Sequence, residues 1–143
     1  MLVATTYDGL PISPTPPYGA TIVVSCYVGS ERRYLLLHRA HEGPDYDGDW
    51  AWTPPAGSRF PGEPIGTCAV RELEEETGLF GELRTIRDSD PDWALFTLEF
   101  DTKPEVRLDG EHDRYEWVTL ADARVRCKPE VIVSGLDLAA RDQ

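Results

Sequence analysis

Cysteine is scarce in this chain, and what there is forms no pattern: Cys26, Cys68 and Cys127 are odd in number, far apart and without a CxxC spacing. A disulfide framework and a thiolate metal site are therefore excluded as the basis of the fold, and free packing thiols in a reducing compartment are expected. Long apolar runs are also missing. No stretch approaches the ~20 residues of a membrane-spanning helix, and Met1 to Asp8 shows no basic start followed by an apolar run, so a cytoplasmic protein without a membrane partner is expected. Basic residues are few: 14 Lys and Arg stand against 26 Asp and Glu, a net charge of -12 that repels polyanions and disfavours nucleic acid as a partner. There is no internal repeat and no low-complexity tract.

What is present is ordinary globular material. The 143 residues are 41% apolar, 28% charged and 10% aromatic, enough to bury one core without staples. Pro11, Pro14, Pro16 and Pro17 mark residues 1–18 as an extended arm, leaving residues 19–143 as one domain. Ala20 to Val28 and Arg33 to His38, joined by Gly29-Ser30-Glu31, read as a hairpin rich in β-branched and apolar residues. His41 to Asp49 has loop composition, Trp50 to Thr53 reads as a short strand, and Pro54 to Gly62 as further loop. Strands are expected over Glu82–Ile86, Trp93–Asp101 and Tyr115–Thr119, a helical turn over Leu120–Arg124 and a helix over Val131–Arg141. Strands with helices between and after them indicate an α/β or α+β sandwich.

The strongest helix signal spans residues 63–78, with Pro64 suited to the first helical position, good helix formers from Ala69 to Glu76, and Gly78 placed for a left-handed cap. At about 100° per residue, Glu72, Glu75 and Glu76 share an arc of about 100°, while Glu74 faces away. Ala69, Val70, Leu73 and Thr77 form an apolar stripe beside that arc. Three like charges at this spacing repel one another. Hard divalent cations such as Mg²⁺ or Mn²⁺ take oxygen ligands and would relieve that repulsion, and Arg71 can orient a carboxylate or meet a phosphate. The plain alternative is an exposed acidic helix face.

The stretch from Gly57 to Leu79 resembles a Nudix box, with Gly57, Glu63, Arg71, Glu72, Glu75, Glu76 and Gly78 at its fixed positions and Leu73 and Leu79 at its apolar ones. The resemblance implies a Nudix-type α/β/α sandwich with a mixed sheet. It also implies metal-dependent hydrolysis of a phosphoanhydride in a nucleoside diphosphate linked to another group, such as a nucleoside triphosphate or nucleotide sugar. By position, Glu72, Glu75 and Glu76 correspond to the metal-binding carboxylates, and Glu63 and Arg71 to the pair that braces loop and helix. The Ala56 carbonyl falls where a backbone metal ligand is common, although Ala56 stands where Gly is usual and would be strained at positive φ. Downstream, Glu111 to Val118 is similar to a region that supplies a further metal ligand or general base, with Glu111 the first candidate and Glu116 the second. Glu72 can also be read as the base.

For substrate, Trp50 and Trp52 are candidates for stacking a base, and His38, Arg39 and Arg59 for meeting phosphates. The sequence has no Pro at the position associated with ADP-ribose hydrolysis, no Tyr at the one associated with dinucleoside polyphosphates and no extended coenzyme A motif, so the resemblance selects no substrate. A nucleotide-binding regulatory module without catalysis is the alternative, one that loss of box carboxylates would favour, and none is lost. RNA 5′-end processing would need a basic channel, which the charge balance disfavours. A homodimer is admitted as an assembly.

Overall fold

The computed structural model describes residues 4–6, 8–87 and 89–142. The β-branched run becomes β1 (Gly19–Val28), which turns at Gly29 into β2 (Glu31–Arg39). Then follow β3 (Trp52–Thr53), β4 (Ala56–Ser58), α1 (Ile65–Thr77), β5 (Arg84–Ile86), β6 (Ala94–Phe100), β7 (His112–Val118), α2 (Leu120–Arg126) and α3 (Glu130–Arg141). No helix among the described residues is long and apolar enough to cross a membrane.

The strands form one mixed sheet in the order β3-β2-β1-β6-β5, with β4 also on β1 and β7 also on β2. All pairings are antiparallel except β1 with β6, which runs parallel with Ala20 opposite Ala94. Because side chains alternate along a strand, β1 sends Ala20, Ile22, Val24 and Cys26 to one face with Leu35 and Leu37 of β2. There they meet Cys68, Ala69 and Leu73 of α1. The opposite parity, Val23, Tyr34, Leu36 and Leu95, packs against Ala123 of α2 and Leu136 and Ala139 of α3. The result is an α/β/α sandwich with two cores, one on each face of the sheet, as the sequence implies.

Several boundaries differ from the sequence reading, each for a local reason. Pro64 caps α1 instead of starting it, because its ψ of 141° is extended, while Gly78 ends the helix as expected at φ 72° and donates its N–H to the Glu74 carbonyl. The strand expected at Trp50 begins only at Trp52, since Trp50 itself adopts φ 68°. Ala56 to Ser58, read as loop, pairs with Gly19 to Thr21 as a short strand. β7 starts three residues early, at His112, past a register shift opposite His38 and Arg39. Val70, placed on the apolar stripe of α1, is instead exposed.

The proline-rich arm runs along the loop that precedes α1. Thr5 bridges to Pro11, Ser13 donates its N–H to the Arg59 carbonyl and Arg59 returns one to Tyr18. Met1, Leu2, Val3 and Tyr7 of the arm lie outside the described residues.

Candidate functional site

The glutamates of α1 share a helix face but not an environment. Glu76 is 3% exposed, Glu72 is partly buried, and the Glu75 side chain is 57% exposed. Glu76 thus lies inside the buried stripe that the sequence reading set beside it. Its Oε1 accepts the Ala56 N–H at 3.1 Å, which ties the helix to β4. Burial drives the Glu76 carboxyl well above the usual carboxylate range, and the charges of Glu72, Asp109 and Glu111 push the same way. Glu72 is pushed up to about 7, mainly by burial, against the lowering influence of Arg71.

Gly57 is required by this packing. A methyl group there would sit 2.0 Å from Glu72 Cδ, so any side chain would displace the carboxylate. Ala56, next to it, is outside the positive-φ region, which removes the strain that replacing Gly would bring.

Arg71 holds the cluster together. It donates to both oxygens of Glu63, from Nε at 2.8 Å and Nη2 at 3.0 Å, and from Nη1 to Glu72 at 2.8 Å and Glu75 at 3.4 Å. A further bond to the Ser58 carbonyl and stacking 4.0 Å over the Phe60 ring fix its plane. Glu63 also accepts the Phe60 N–H, and its pairing with Arg71 holds it below the usual carboxylate range. Glu63 and Arg71 are therefore a mutually satisfied brace, whereas Glu72 and Glu75 share what remains of that guanidinium and Glu76 meets no guanidinium among the described residues. Among the described residues no three such side chains converge into a ready coordination sphere. The donor set is nonetheless what a hard cation takes: carboxylate oxygens, one of them buried with a single backbone donor, at the edge of a solvent-filled cleft.

That cleft encloses about 790 Å³. Glu72, Glu75, Glu76 and Glu111 line one part, and Trp93, Leu95, Ile132 and Gly135 line an apolar part between the sheet and α3. Arg39 and Trp50 border it as well, and so do Thr6, Asp8 and Leu10 of the arm. Glu111 stands exposed at the rim, its carboxyl raised by partial desolvation and by Asp109.

Four sequence candidates lie elsewhere. Glu116 points from β7 to the other face of the sheet, where it pairs with Arg126. Arg59 spends its guanidinium on the carbonyls of Thr15, Pro17 and Glu63, clamping the arm to the loop. His38 is fully buried, with Nδ1 2.8 Å from Asp113 and Nε2 2.7 Å from the Tyr46 carbonyl. Trp52, 5% exposed, packs edge-on to His38 with the guanidinium groups of Arg114 and Arg126 each 5.1 Å from its ring. Conversely, the arm residues and Trp93 were not anticipated at the cleft. Only Trp93 offered a signal, an amphipathic ring at a strand start, and its indole N–H donates to Thr21 at 2.9 Å.

A mixed sheet between two helical layers, with a glutamate-rich helix and its bracing arginine at the mouth of a cleft, defines a class. The family model described as the NUDIX domain matches residues 18–134, and the chain belongs to that family. Members of this family generally use a divalent metal. A bis(5′-nucleosyl)-tetraphosphatase [asymmetrical] from Mus musculus is 34% identical over 103 residues, covering 63% of this chain and 66% of the relative. An RNA pyrophosphohydrolase from Dinoroseobacter shibae is 38% identical over 86 residues, covering 57% of this chain and 52% of the relative. The chain thus spans from about half to just under two thirds of the length of these relatives. Among solved structures, a C. elegans Ap4A hydrolase in a binary complex superposes with a TM-score of 0.67 at 24% identity, covering 87% of this chain and 96% of that one, which shows the shared fold.

Proposed function

We propose that this chain is a divalent-metal-dependent pyrophosphohydrolase that cleaves the phosphoanhydride of a nucleoside diphosphate carrying a further group. The observation that supports it is the surplus of carboxylate on one wall of the cleft, where Glu72, Glu75, Glu76 and Glu111 outnumber the single guanidinium of Arg71. A fold gains nothing from such a surplus unless a cation joins it.

Mg²⁺ or Mn²⁺ would be held by Glu72, Glu75 and Glu76 with the Ala56 carbonyl, and supplies charge cancellation on the diphosphate and a more acidic water. Glu63 and Arg71 brace the loop against the helix, and Arg71 orients Glu72 and Glu75 toward the cation. Glu111, at the open rim, accepts the proton of the attacking water at its carboxylate. Arg39, also on the lining, meets phosphate oxygens. The less polar lining of the cleft, where Trp50 and Trp93 stand, takes the non-phosphate portion of the substrate.

The names of the sequence relatives add bis(5′-nucleosyl) tetraphosphates and RNA to a test panel of nucleoside triphosphates and nucleotide sugars. Each is offered with Mg²⁺ or Mn²⁺, and pyrophosphate or phosphatase-released orthophosphate is measured. Turnover of at least one, lost in Glu75→Gln with Glu76→Gln, is the expected result. Turnover that survives the double substitution defeats the carboxylate mechanism, and tight nucleotide binding without turnover makes the chain a binding module.

A further inference from the structure

Two tryptophans two residues apart have opposite fates. In an extended strand Trp50 and Trp52 would project to the same face of the sheet. Trp52 does so, buried against His38. Trp50 instead adopts φ 68°, the only non-glycine positive φ among the described residues, and its side chain lies 42% exposed on the wall of the cleft beside Arg39 and Glu42. A bulky residue in the left-handed region is a genuine outlier, tolerated where the surroundings over-determine it and concentrated at ligand sites.

The surroundings do over-determine it. The Ala51 N–H donates to the Gly48 carbonyl at 3.2 Å, closing a four-residue turn in which Trp50 takes the third place, where glycine or asparagine is the usual choice at positive φ. Tyr46 donates its hydroxyl to the Asp49 carbonyl at 2.8 Å, and its ring fills the space over Gly48. His38 holds the Tyr46 carbonyl from the buried side, and the Arg39 N–H holds the Ala51 carbonyl. The turn is clamped from both ends, while for the half-exposed indole at its tip no hydrogen bond or ring contact is seen among the described residues. A glycine would serve this backbone better, so the fold does not explain the tryptophan.

We infer that Trp50 is the base-recognition residue of the cleft, its indole face stacking on the planar heterocycle of a nucleotide whose phosphates lie toward Arg39 and the carboxylates. The inference rests on the nucleotide reading above and adds the residue that selects nucleotides over base-free polyphosphates. Stacking needs only an aromatic face, so it favours nucleotides as a class without choosing among bases.

The test uses the intact protein with Trp50→Gly, which removes both ring and strain, and Trp50→Tyr, which keeps an aromatic ring. Thermal melting, steady-state kinetics and indole fluorescence are read with adenosine triphosphate and with inorganic triphosphate, each with Mg²⁺. The expected result is that Trp50→Gly melts higher than the parent and raises KM for adenosine triphosphate about tenfold. Inhibition of that reaction by inorganic triphosphate should be as strong in Trp50→Gly as in the parent, and KM of Trp50→Tyr should stay within about threefold of the parent. Adenosine triphosphate should quench the parent's fluorescence, and both variants should lose the share of that quenching that Trp50 contributes, Trp93 remaining in the cleft in all three proteins. Quenching undiminished in Trp50→Tyr, or a higher melting temperature in Trp50→Gly with an unchanged KM, overturns the inference while leaving the hydrolase reading intact. Quenching by adenosine triphosphate that requires Trp50, in a protein that hydrolyses nothing, supports it while the hydrolase reading fails.

Discussion

The two faces of the sheet treat charge in opposite ways. On the face covered by α2 and α3, ionisable groups are matched within the fold: Glu116 with Arg126, Asp113 with His38 and Arg114, and Asp137 with Arg124. On the α1 face Glu63 receives a full partner in Arg71, Glu72 and Glu75 are left with what remains of that guanidinium, and Glu76 meets no guanidinium among the described residues. Matched charge fixes structure, while unmatched charge of one sign, buried and beside a cleft, has a use outside the fold. The net charge of -12 does not reveal this difference, because it says nothing of which carboxylates have partners.

The largest effect should come from the unmatched face. Glu76→Gln should reduce hydrolysis of the best substrate by more than the ~10–100-fold typical of removing a bracing partner, measured as kcat/KM at saturating Mg²⁺. The same substitution should raise the melting temperature of chelator-treated protein, because it removes a buried like charge. Activity at the parent level would erase the contrast between the faces.

Next comes the brace. Arg71→Ala leaves Glu63 and Glu72 buried without a partner, and should cost on the order of 3–5 kcal/mol, read as a fall in melting temperature of roughly 10 °C. A fall of only a degree or two would show that Arg71 is not what holds the α1 face together.

The pH response should also separate the faces. Glu72 is pushed up to about 7 and Glu76 is raised well above the ordinary carboxylate value, so both bind protons more tightly in the folded than in the unfolded chain. Their contribution is present below the ordinary carboxylate value and is lost as pH rises through the folded one. Chelator-treated protein should therefore melt lower as pH rises from about 4.5 to above 7, the reverse of acid denaturation, with Mg²⁺ reducing the slope and Glu72→Gln flattening it. A flat profile in the parent would mean that the carboxylates are compensated without metal.

The smallest effect belongs to the matched face. Glu116→Gln breaks a partly exposed pair with Arg126 and should cost under about 1 kcal/mol with kcat/KM unchanged. A large loss of activity there would return Glu116 to the reaction.

Arg71 and the three glutamates were legible because they lie on one helix, where their shared flank follows from the helical repeat, whereas Gly57 and Glu63, on the strand and loop before it, were legible only through the resemblance to the Nudix box. That repeat gives angles without saying what lies at each angle, which is why Val70 turned out exposed and Glu76 buried. Apolar and β-branched runs marked most of the strands, yet that reading failed at Trp50, where one positive φ breaks the alternation, and it could not separate Glu111 from Glu116 across the register shift in β7. Arg59 was misread because its partners are carbonyls of the arm, and backbone acceptors leave no mark in the sequence.

Strand β1 is hydrogen-bonded to β2, β4 and β6, and these partnerships span very different lengths of chain. The hairpin with β2 closes locally, whereas the parallel register of Ala20 with Ala94 closes only after the loop, the helix and β5 have been threaded between them. The cleft uses residues from both sides of that closure, Thr21 and Val23 on β1 and Ala94 and Leu95 on β6. Binding competence during refolding is therefore a late event, gated by the slowest long-range pairing, and α1 can be helical well before there is a pocket for its glutamates to face.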